Sequence, residues 1–100
     1  MKKYEYGCVV ERLEIDYFEN SDDIYESKWS AYLQNTPDYL DEACDKAGYV
    51  KDKENWELSN VPFDVLGNLG FELKTSSVIT MKKGTTVITE TTHIFQKEKE

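Results

Sequence analysis

One histidine and two cysteines are the side chains of this sequence best suited to catalysis or metal binding. A zinc site or an activated nucleophile would require His93 to meet Cys8, Cys44 or a carboxylate at a suitable spacing. The two cysteines lie far apart in the sequence, and neither belongs to a C-x-x-C pair. His93 lies in a strand-like run, two residues before Phe95. We therefore predict a structural histidine, two buried free thiols, no metal or cofactor, and no enzymatic activity.

The acidic segment from Asp16 to Asp23 is a candidate for binding Ca²⁺ or Mg²⁺. Phe18 stands where a calcium-binding loop of the EF-hand type requires an oxygen ligand, and the loop's glycine and final glutamate are missing. Gly67 and Gly70 lie where a helix is expected to end, which is the wrong pole for binding phosphate. The spacing of serine, histidine and aspartate suggests no triad. These segments are therefore expected to be turns and caps.

Acidic residues supply a sharper hypothesis. The chain has 20 acidic and 12 basic side chains and a net charge of −8, and 15 of the acidic residues precede residue 61. Such a surface on two helices would bind a basic partner or imitate a nucleic-acid backbone, whereas ordinary solubility charge is the structural alternative. Direct binding to nucleic acid is disfavoured by the same charge. The predicted partner-binding residues are Glu19, Asp22, Asp23, Glu26, Trp29, Asp38, Asp41, Glu42 and Asp45.

Alternating patterns predict the strands of the fold. Residues 3–18 alternate between apolar and polar side chains, as is typical of a strand. The parity of this alternation changes between Val10 and Leu13, which predicts a β-bulge. Residues 71–81 and 86–96 are interpreted as two further strands, joined by a glycine-containing hairpin turn.

Apolar residues at helical spacing predict three helices, over 22–34, 37–47 and 62–69. Thr36 is expected to cap the second helix, because a proline follows it at the first helical position. Gly70 is expected just beyond the third helix, where a glycine most easily adopts a positive φ.

Three segments of the chain resemble a known family. They are MKKYEY at 1–6, VLGNLGFEL at 65–73 and HIFQKE at 93–98. They are similar to the opening strand, the L-G-x-x-G-W-E-L word and the I-F-K-R ending of the small bacterial and phage domain-of-unknown-function family numbered 4177. Phe71 replaces that family's tryptophan, and Gln96 replaces its lysine. The resemblance implies a fold and a phage or prophage origin, and it carries no known activity or site.

Together these patterns predict a single α+β domain over residues 1–100. A three-stranded, mainly antiparallel sheet would carry two to three helices on one face, with residues 19–60 as an acidic helical insertion. The sequence shows neither a signal peptide nor a membrane span, so we expect a cytoplasmic protein. The leading functional hypothesis is a non-catalytic binding module with a protein partner. The alternatives are an acidic inhibitor of a basic nucleic-acid-binding or defence protein, and a small-ligand sequestering protein with an aromatic pocket. Independently of these functions, the open edges and face of the sheet make homodimerisation as plausible as a monomer.

Overall fold

A computed structural model describes residues 2–99 and places them in one antiparallel sheet with two short helices. The elements in chain order are β1 (Lys3–Tyr17), β2 (Ile24–Gln34), α1 (Asp38–Lys46), β3 (Val50–Asp52), β4 (Glu57–Leu58), α2 (Phe63–Asn68), β5 (Glu72–Lys83) and β6 (Thr86–Lys99). The six strands are ordered β3-β4-β2-β1-β6-β5 across the sheet. The long strand β1 is central, and it pairs with β2 on one side and with β6 on the other.

Both helices pack on the same face of the sheet, which we call the helix face. Val9, Ala31 and Phe95 occupy this face at paired or neighbouring register positions and are almost fully buried. Leu40 of α1 and Leu66 of α2 complete the contact from the helix side. The other members of the core are Cys44, Leu58, Val61, Val65 and Phe71. The core therefore lies at one end of the sheet, beneath the two helices.

The other end of the sheet, which we call the distal end, extends beyond the helices. The turn between β1 and β2 meets the turn between β5 and β6 there, and the Tyr17 N–H donates a hydrogen bond to the Thr85 carbonyl at 2.9 Å. The molecule measures 55 × 29 × 20 Å, since the long strands of two hairpins determine its length. On the face opposite the helices, which we call the open face, Tyr6 is 54% exposed and Ile79 is 61% exposed.

The prediction of an α+β domain built on a three-stranded sheet is wrong, because six antiparallel strands in one sheet make up most of the described chain. The two helices in this part of the chain are short, and the third predicted helix is absent from it. The predicted helix over 22–34 is the strand β2, whose Trp29 lies opposite Leu13 of β1. Aromatic, β-branched and serine residues dominate this segment and have weak helix propensity, so pairing along β1 decides its conformation. The insertion at 19–60 is therefore only partly helical.

The predicted bulge between Val10 and Leu13 is also wrong, since β1 keeps its register there with both neighbours. Apolar residues of both parities are accommodated because each face of the sheet carries some of them. Register shifts occur elsewhere: one lies near Tyr17, and another lies between Leu73 and Thr75 of β5. Because of the second shift, the side chains of residues 71–81 do not alternate between the two faces in one unbroken pattern.

Several local predictions are confirmed. The strands predicted at 3–18, 71–81 and 86–96 correspond to β1, β5 and β6, and the helices predicted at 37–47 and 62–69 correspond to α1 and α2. Gly70 has a φ of 89° directly after α2, and Gly84 has a φ of 62° in the β5–β6 turn. Thr36 is not the cap of α1, because Pro37 occupies that position and the Thr36 hydroxyl instead donates to the Asp41 carboxylate.

Candidate functional site

The candidate site is the distal hairpin, which we define as residues 13–29 of β1, β2 and their turn. The Phe18 N–H donates to the Asp23 carbonyl at 3.0 Å, and the Ser21 N–H donates to the Phe18 carbonyl at 3.2 Å. The Ser21 hydroxyl accepts a hydrogen bond from the Asp23 N–H at 3.0 Å. Asn20 turns the chain with a φ of 58°, a conformation that asparagine tolerates better than most residues. The segment predicted to open a helix therefore closes a hairpin.

The distal hairpin is both acidic and aromatic. Residues 14–26 contain six acidic side chains and no basic one. Phe18 and Tyr25 pack edge to face with ring centroids 5.2 Å apart, yet they are 50% and 68% exposed. Ile24 between them in the sequence is 56% exposed. An exposed aromatic cluster within a negative surface suits a partner that presents both apolar and basic groups.

Two of the acidic side chains face each other across the hairpin. Asp16 of β1 lies directly opposite Glu26 of β2, and like charges at such positions destabilise a sheet. The Thr86 hydroxyl donates to Asp16 at 2.5 Å, and the Lys28 ammonium lies 3.8 Å from the Glu26 carboxylate. These contacts offset part of the repulsion. A basic group from a partner would offset more of it.

The structure divides the nine predicted partner-binding residues into two groups. Glu19, Asp22, Asp23, Glu26 and Trp29 belong to the distal hairpin, whereas Asp38, Asp41, Glu42 and Asp45 lie on α1. Leu40 of α1 lies over Gly7, and about ten residues of β1 separate Gly7 from the distal turn, which amounts to roughly 33 Å of strand. Asp45 on α1 also forms an ion pair of 3.1 Å with Lys53. The nine residues therefore do not form one continuous acidic face.

Two open clefts accompany the sheet. The first has a volume of about 830 Å³ and lies between the two distal turns, where Phe18 and Asp22 face Lys82 and Thr85. The second, of about 480 Å³, is bordered by Trp29 and Tyr32 together with several charged side chains.

The aromatic residues of 19–60 are dispersed. Tyr25 contacts Phe18, whereas Tyr39 stacks on Phe71 with ring centroids 6.4 Å apart near the other end of the sheet. Lys97 lies 5.3 Å from the centroid of the Tyr39 ring. Burial, followed by a hydrogen bond and charge from Glu5, raises the pKa of Tyr39. These contacts place Tyr39 at the end of the sheet that holds the core. It does not border the cleft of Trp29 and Tyr32 described above.

A Ser–His–Glu row crosses three neighbouring strands, and no pattern in the sequence indicated it. The Ser76 hydroxyl lies 2.8 Å from His93 Nδ1, and Glu11 lies 2.5 Å from His93 Nε2. The Phe63 ring covers the histidine edge to face, with centroids 6.0 Å apart, and leaves its side chain 12% exposed. A mostly buried imidazole requires partners for both nitrogens, which Ser76 and Glu11 provide. Ser76 lies on the exposed strand β5, and neither cleft described above reaches the row.

The cysteines differ in their surroundings. Cys44 is fully buried in the core, whereas Cys8 is half-buried, and both thiols are free. Burial, reinforced by the charges of Asp41 and Asp64, raises the pKa of the Cys44 thiol to about 11, so little nucleophilic thiolate forms near neutral pH. Within residues 2–99 no three His, Cys, Asp or Glu side chains gather closely enough to hold a metal ion.

Tyr49 connects the segment after α1 to the start of α2. Its hydroxyl donates to the Asp64 carboxylate at 2.5 Å. This hydrogen bond lowers the pKa of Asp64 and raises the pKa of Tyr49, because it favours the carboxylate paired with the neutral phenol. The pair therefore links two parts of the helical end, and neither residue borders a cleft described above.

In the part of the chain that the structure describes, neither helix has the length and apolar character needed to cross a membrane. Comparison with protein-family models, with curated proteins and with solved structures finds no match to this chain. The resemblance to the family numbered 4177 therefore stays a prediction, and the site must be interpreted from its own geometry.

Proposed function

We propose that this protein is a non-catalytic protein-binding module of the cytoplasm, and that the distal hairpin is its contact surface. The partner presents apolar and basic side chains. Because the sheet extends beyond the core, this surface is held out from the rest of the molecule, where a partner can reach it from both faces.

The observation that carries this proposal is the excess of exposed over buried large apolar side chains. Among the described residues, thirteen large apolar side chains are exposed, whereas the core contains ten residues. Five of the thirteen lie on the distal hairpin: Leu13, Phe18, Ile24, Tyr25 and Trp29. Phe18 packs against Tyr25, and Leu13 lies opposite Trp29, so the five form at least two exposed apolar pairs. Exposed apolar patches on a small protein usually mark an interaction site. Tyrosine and tryptophan are also the residue types that most often dominate binding energy.

The charge of the hairpin supports the basic character of the partner. Asp16 and Glu26 repel each other within the isolated protein, and a bound cation would convert that repulsion into attraction. The absence of catalysis is supported by the chemistry of the candidate groups. Cys44 is buried with a raised pKa, and His93 is occupied by Ser76 and Glu11 beneath Phe63.

Site-specific photo-crosslinking tests this proposal. A benzophenone amino acid replaces Tyr25 on the distal hairpin, and in a control variant it replaces Lys46, an exposed residue at the end of α1. We expect a discrete adduct with another protein from the Tyr25 variant after irradiation in the native host, and none from the Lys46 variant. Equal labelling from both positions, or an adduct only from Lys46, would refute the assignment of the surface.

The inhibitor of a basic nucleic-acid-binding protein is a narrower form of the same proposal, favoured by the six acidic side chains of residues 14–26. Reversing Asp22, Asp23 and Glu26 to lysine should abolish the complex, and added salt should weaken the wild-type complex. The matched control reverses Asp38 and Glu42 on α1, which should leave binding intact. Binding that ignores both salt and the hairpin reversals would exclude this form.

The aromatic ligand pocket has less support than either form of protein binding. Tyr39 stacks on Phe71 at the core end of the sheet, whereas Trp29 borders the cleft that it shares with Tyr32. Because these rings lie at separate places in the chain, a shared pocket has less support than protein binding.

A further inference from the structure

Strand β5 forms one edge of the sheet and is exposed along its whole length. It is the last strand in the sheet order, pairing only with β6 within the described chain. All twelve residues from Glu72 to Lys83 are exposed, and Val78 and Ile79 at its centre are each 61% exposed. One side of this strand therefore presents free N–H and carbonyl groups that another strand can pair with.

The composition of β5 favours pairing at its centre. Residues 75–81 read Thr-Ser-Ser-Val-Ile-Thr-Met, without charge, proline or glycine. Proteins usually protect an open edge with an inward charge, a proline or a short strand, and this stretch has none of these. Charges occur only towards the ends of β5, where Glu72 and Lys74 lie at one end and Lys82 and Lys83 lie at the other.

The opposite side of the sheet is protected in the usual way. Its outermost strands, β3 and β4, contain three and two residues. The part of β2 beyond them is free of a neighbour in the described chain, but it carries Glu26 and Lys28 near its middle. The two sides of the sheet therefore differ, and β5 is the side built to accept a partner strand.

We propose that the partner on β5 is a second copy of this chain, paired antiparallel through β5 about a two-fold axis at Val78. Because a two-fold axis normal to the sheet keeps each face on its own side, opposite residues must belong to the same face. Val78 then lies opposite Val78 of the second copy, and Ser77 lies opposite its Ile79. The proposal is independent of the distal hairpin, which lies two strands away and stays free.

One pair of charges at the ends of β5 fits this register. The shift between Leu73 and Thr75 leaves Lys74 as the extra residue, so Glu72 falls on the same face as Lys83. With Val78 at the centre, Glu72 of each copy lies opposite Lys83 of the other, which forms two symmetric ion pairs. Lys74 of each copy lies near Lys82 of the other in the same register, and this repulsion offsets part of the attraction, which also favours a weak dimer.

The size of the contact predicts a reversible dimer. Twelve residues of strand extend about 40 Å, and a seam about 10 Å wide buries roughly 800 Å² in total over both copies. That area lies below the range of stable complexes and within that of weak ones. About ten backbone hydrogen bonds would form along the seam. We therefore expect a dissociation constant in the range of about 1 to 100 μM.

Sedimentation velocity on the purified full chain, from about 1 to about 500 μM, tests the dimer across the expected range of affinity. The register is tested by two charge reversals, Glu72→Lys and Lys83→Glu, both at exposed positions. Each variant alone places like charges opposite each other at both ends, so each should dimerise about tenfold more weakly than wild type. An equimolar mixture should recover wild-type affinity, because the lysines of one variant then face the glutamates of the other at both ends of the seam.

A matched pair of cysteine variants provides a second readout. Val78→Cys places two thiols opposite each other and should form a dimer disulfide under mild oxidation, whereas Thr80→Cys on the same face separates them by several residues and should not. A protein that stays monomeric to about 500 μM would overturn the proposal, because that concentration exceeds the expected dissociation constant. A dimer that the single reversals do not weaken, or that the mixture does not restore, would also overturn it.

Discussion

The contrast between Leu40 and Ile79 provides the most direct test of this architecture. Both are aliphatic side chains that contact the sheet or belong to it, but Leu40 is fully buried between α1 and the helix face, whereas Ile79 is 61% exposed on the open face. Truncating Leu40 to alanine removes buried surface and leaves a cavity beneath α1. Truncating Ile79 to alanine removes a side chain that is mostly in water already.

The expected magnitudes follow from that difference in burial. A fully buried Leu→Ala substitution lowers the free energy of unfolding by about 2 to 5 kcal/mol, and we expect about 3 for Leu40→Ala. For a domain of this size that corresponds to a fall in Tm of roughly 10 to 20 °C. Ile79→Ala should change the free energy of unfolding by less than about 0.5 kcal/mol, as is usual at an exposed position.

Urea unfolding followed by far-ultraviolet circular dichroism measures both values. The protein should be held at about 0.5 μM in a cell of long path, below the expected dissociation constant of about 1 to 100 μM, so that pairing through β5 adds little to the apparent stability. If Leu40→Ala lowers the free energy of unfolding by less than about 1 kcal/mol, well under the range for a buried leucine, the core does not lie beneath α1. If Ile79→Ala is as destabilising as Leu40→Ala, Ile79 is buried in solution. That result would contradict the exposure of apolar side chains on the open face.

Three further predictions concern single groups. In the folded protein under mildly alkaline conditions, Cys44 should react with iodoacetamide far more slowly than Cys8, as followed by mass spectrometry. In denaturant the two cysteines should react at similar rates. Equal rates in the folded protein would contradict the burial of Cys44. Tyr49→Phe should raise the pKa of Asp64 in a carboxyl NMR titration. The lowered Asp64 pKa stabilises the fold at pH values above the ordinary aspartate pKa, and this contribution is lost as the pH falls. The Tyr49→Phe variant should therefore lose less stability than wild type on acidification. An unchanged Asp64 pKa in the variant would refute the hydrogen bond. Gly70→Ala should lower the free energy of unfolding by about 1 to 2 kcal/mol, as measured in urea, because alanine is strained at a φ of 89°. An unchanged free energy of unfolding would contradict the positive φ at residue 70.

The elements that local signals define were predictable from the sequence. Gly70 and Gly84 mark positions where φ is positive, and both are found where a helix end and a hairpin turn were predicted. The helix α1 follows a proline and carries a stripe that includes Leu40 and Cys44, so its pattern has only one good interpretation. Such signals act over a few residues and do not require knowledge of the neighbouring strand.

The strand β2 was not predictable in the same way, because its conformation depends on a partner. Tyr25, Trp29 and Tyr32 fall at helical spacing, yet in the strand Trp29 and Ala31 share one face while Tyr32 lies on the other. Only pairing with β1 distinguishes the two interpretations, and that pairing is not a local property.

The Ser76–His93–Glu11 row depends on distant parts of the chain as well. Glu11 and His93 are 82 residues apart in the sequence, and they meet because β1 and β6 are paired. The position of Ser76 beside His93 further depends on the register shift after Leu73. Sequence spacing carries no information on a shift of this kind, so the search for serine, histidine and carboxylate at short range could not find the row.

The change of β2 from helix to strand also changes how the acidic residues act. On a helix, Asp22 and Glu26 would lie one turn apart on the same face, where both side chains face water and can point away from each other. On the hairpin, strand pairing fixes the Glu26 backbone opposite that of Asp16. The two residues cannot move apart along the strands without breaking the sheet, so their repulsion persists. A sequence selected only for solubility would gain nothing from this pair, since charges elsewhere on the surface serve equally well. Such a pair at the exposed end of a hairpin, beside Tyr25, is the arrangement expected of a surface whose repulsion is relieved by a basic partner.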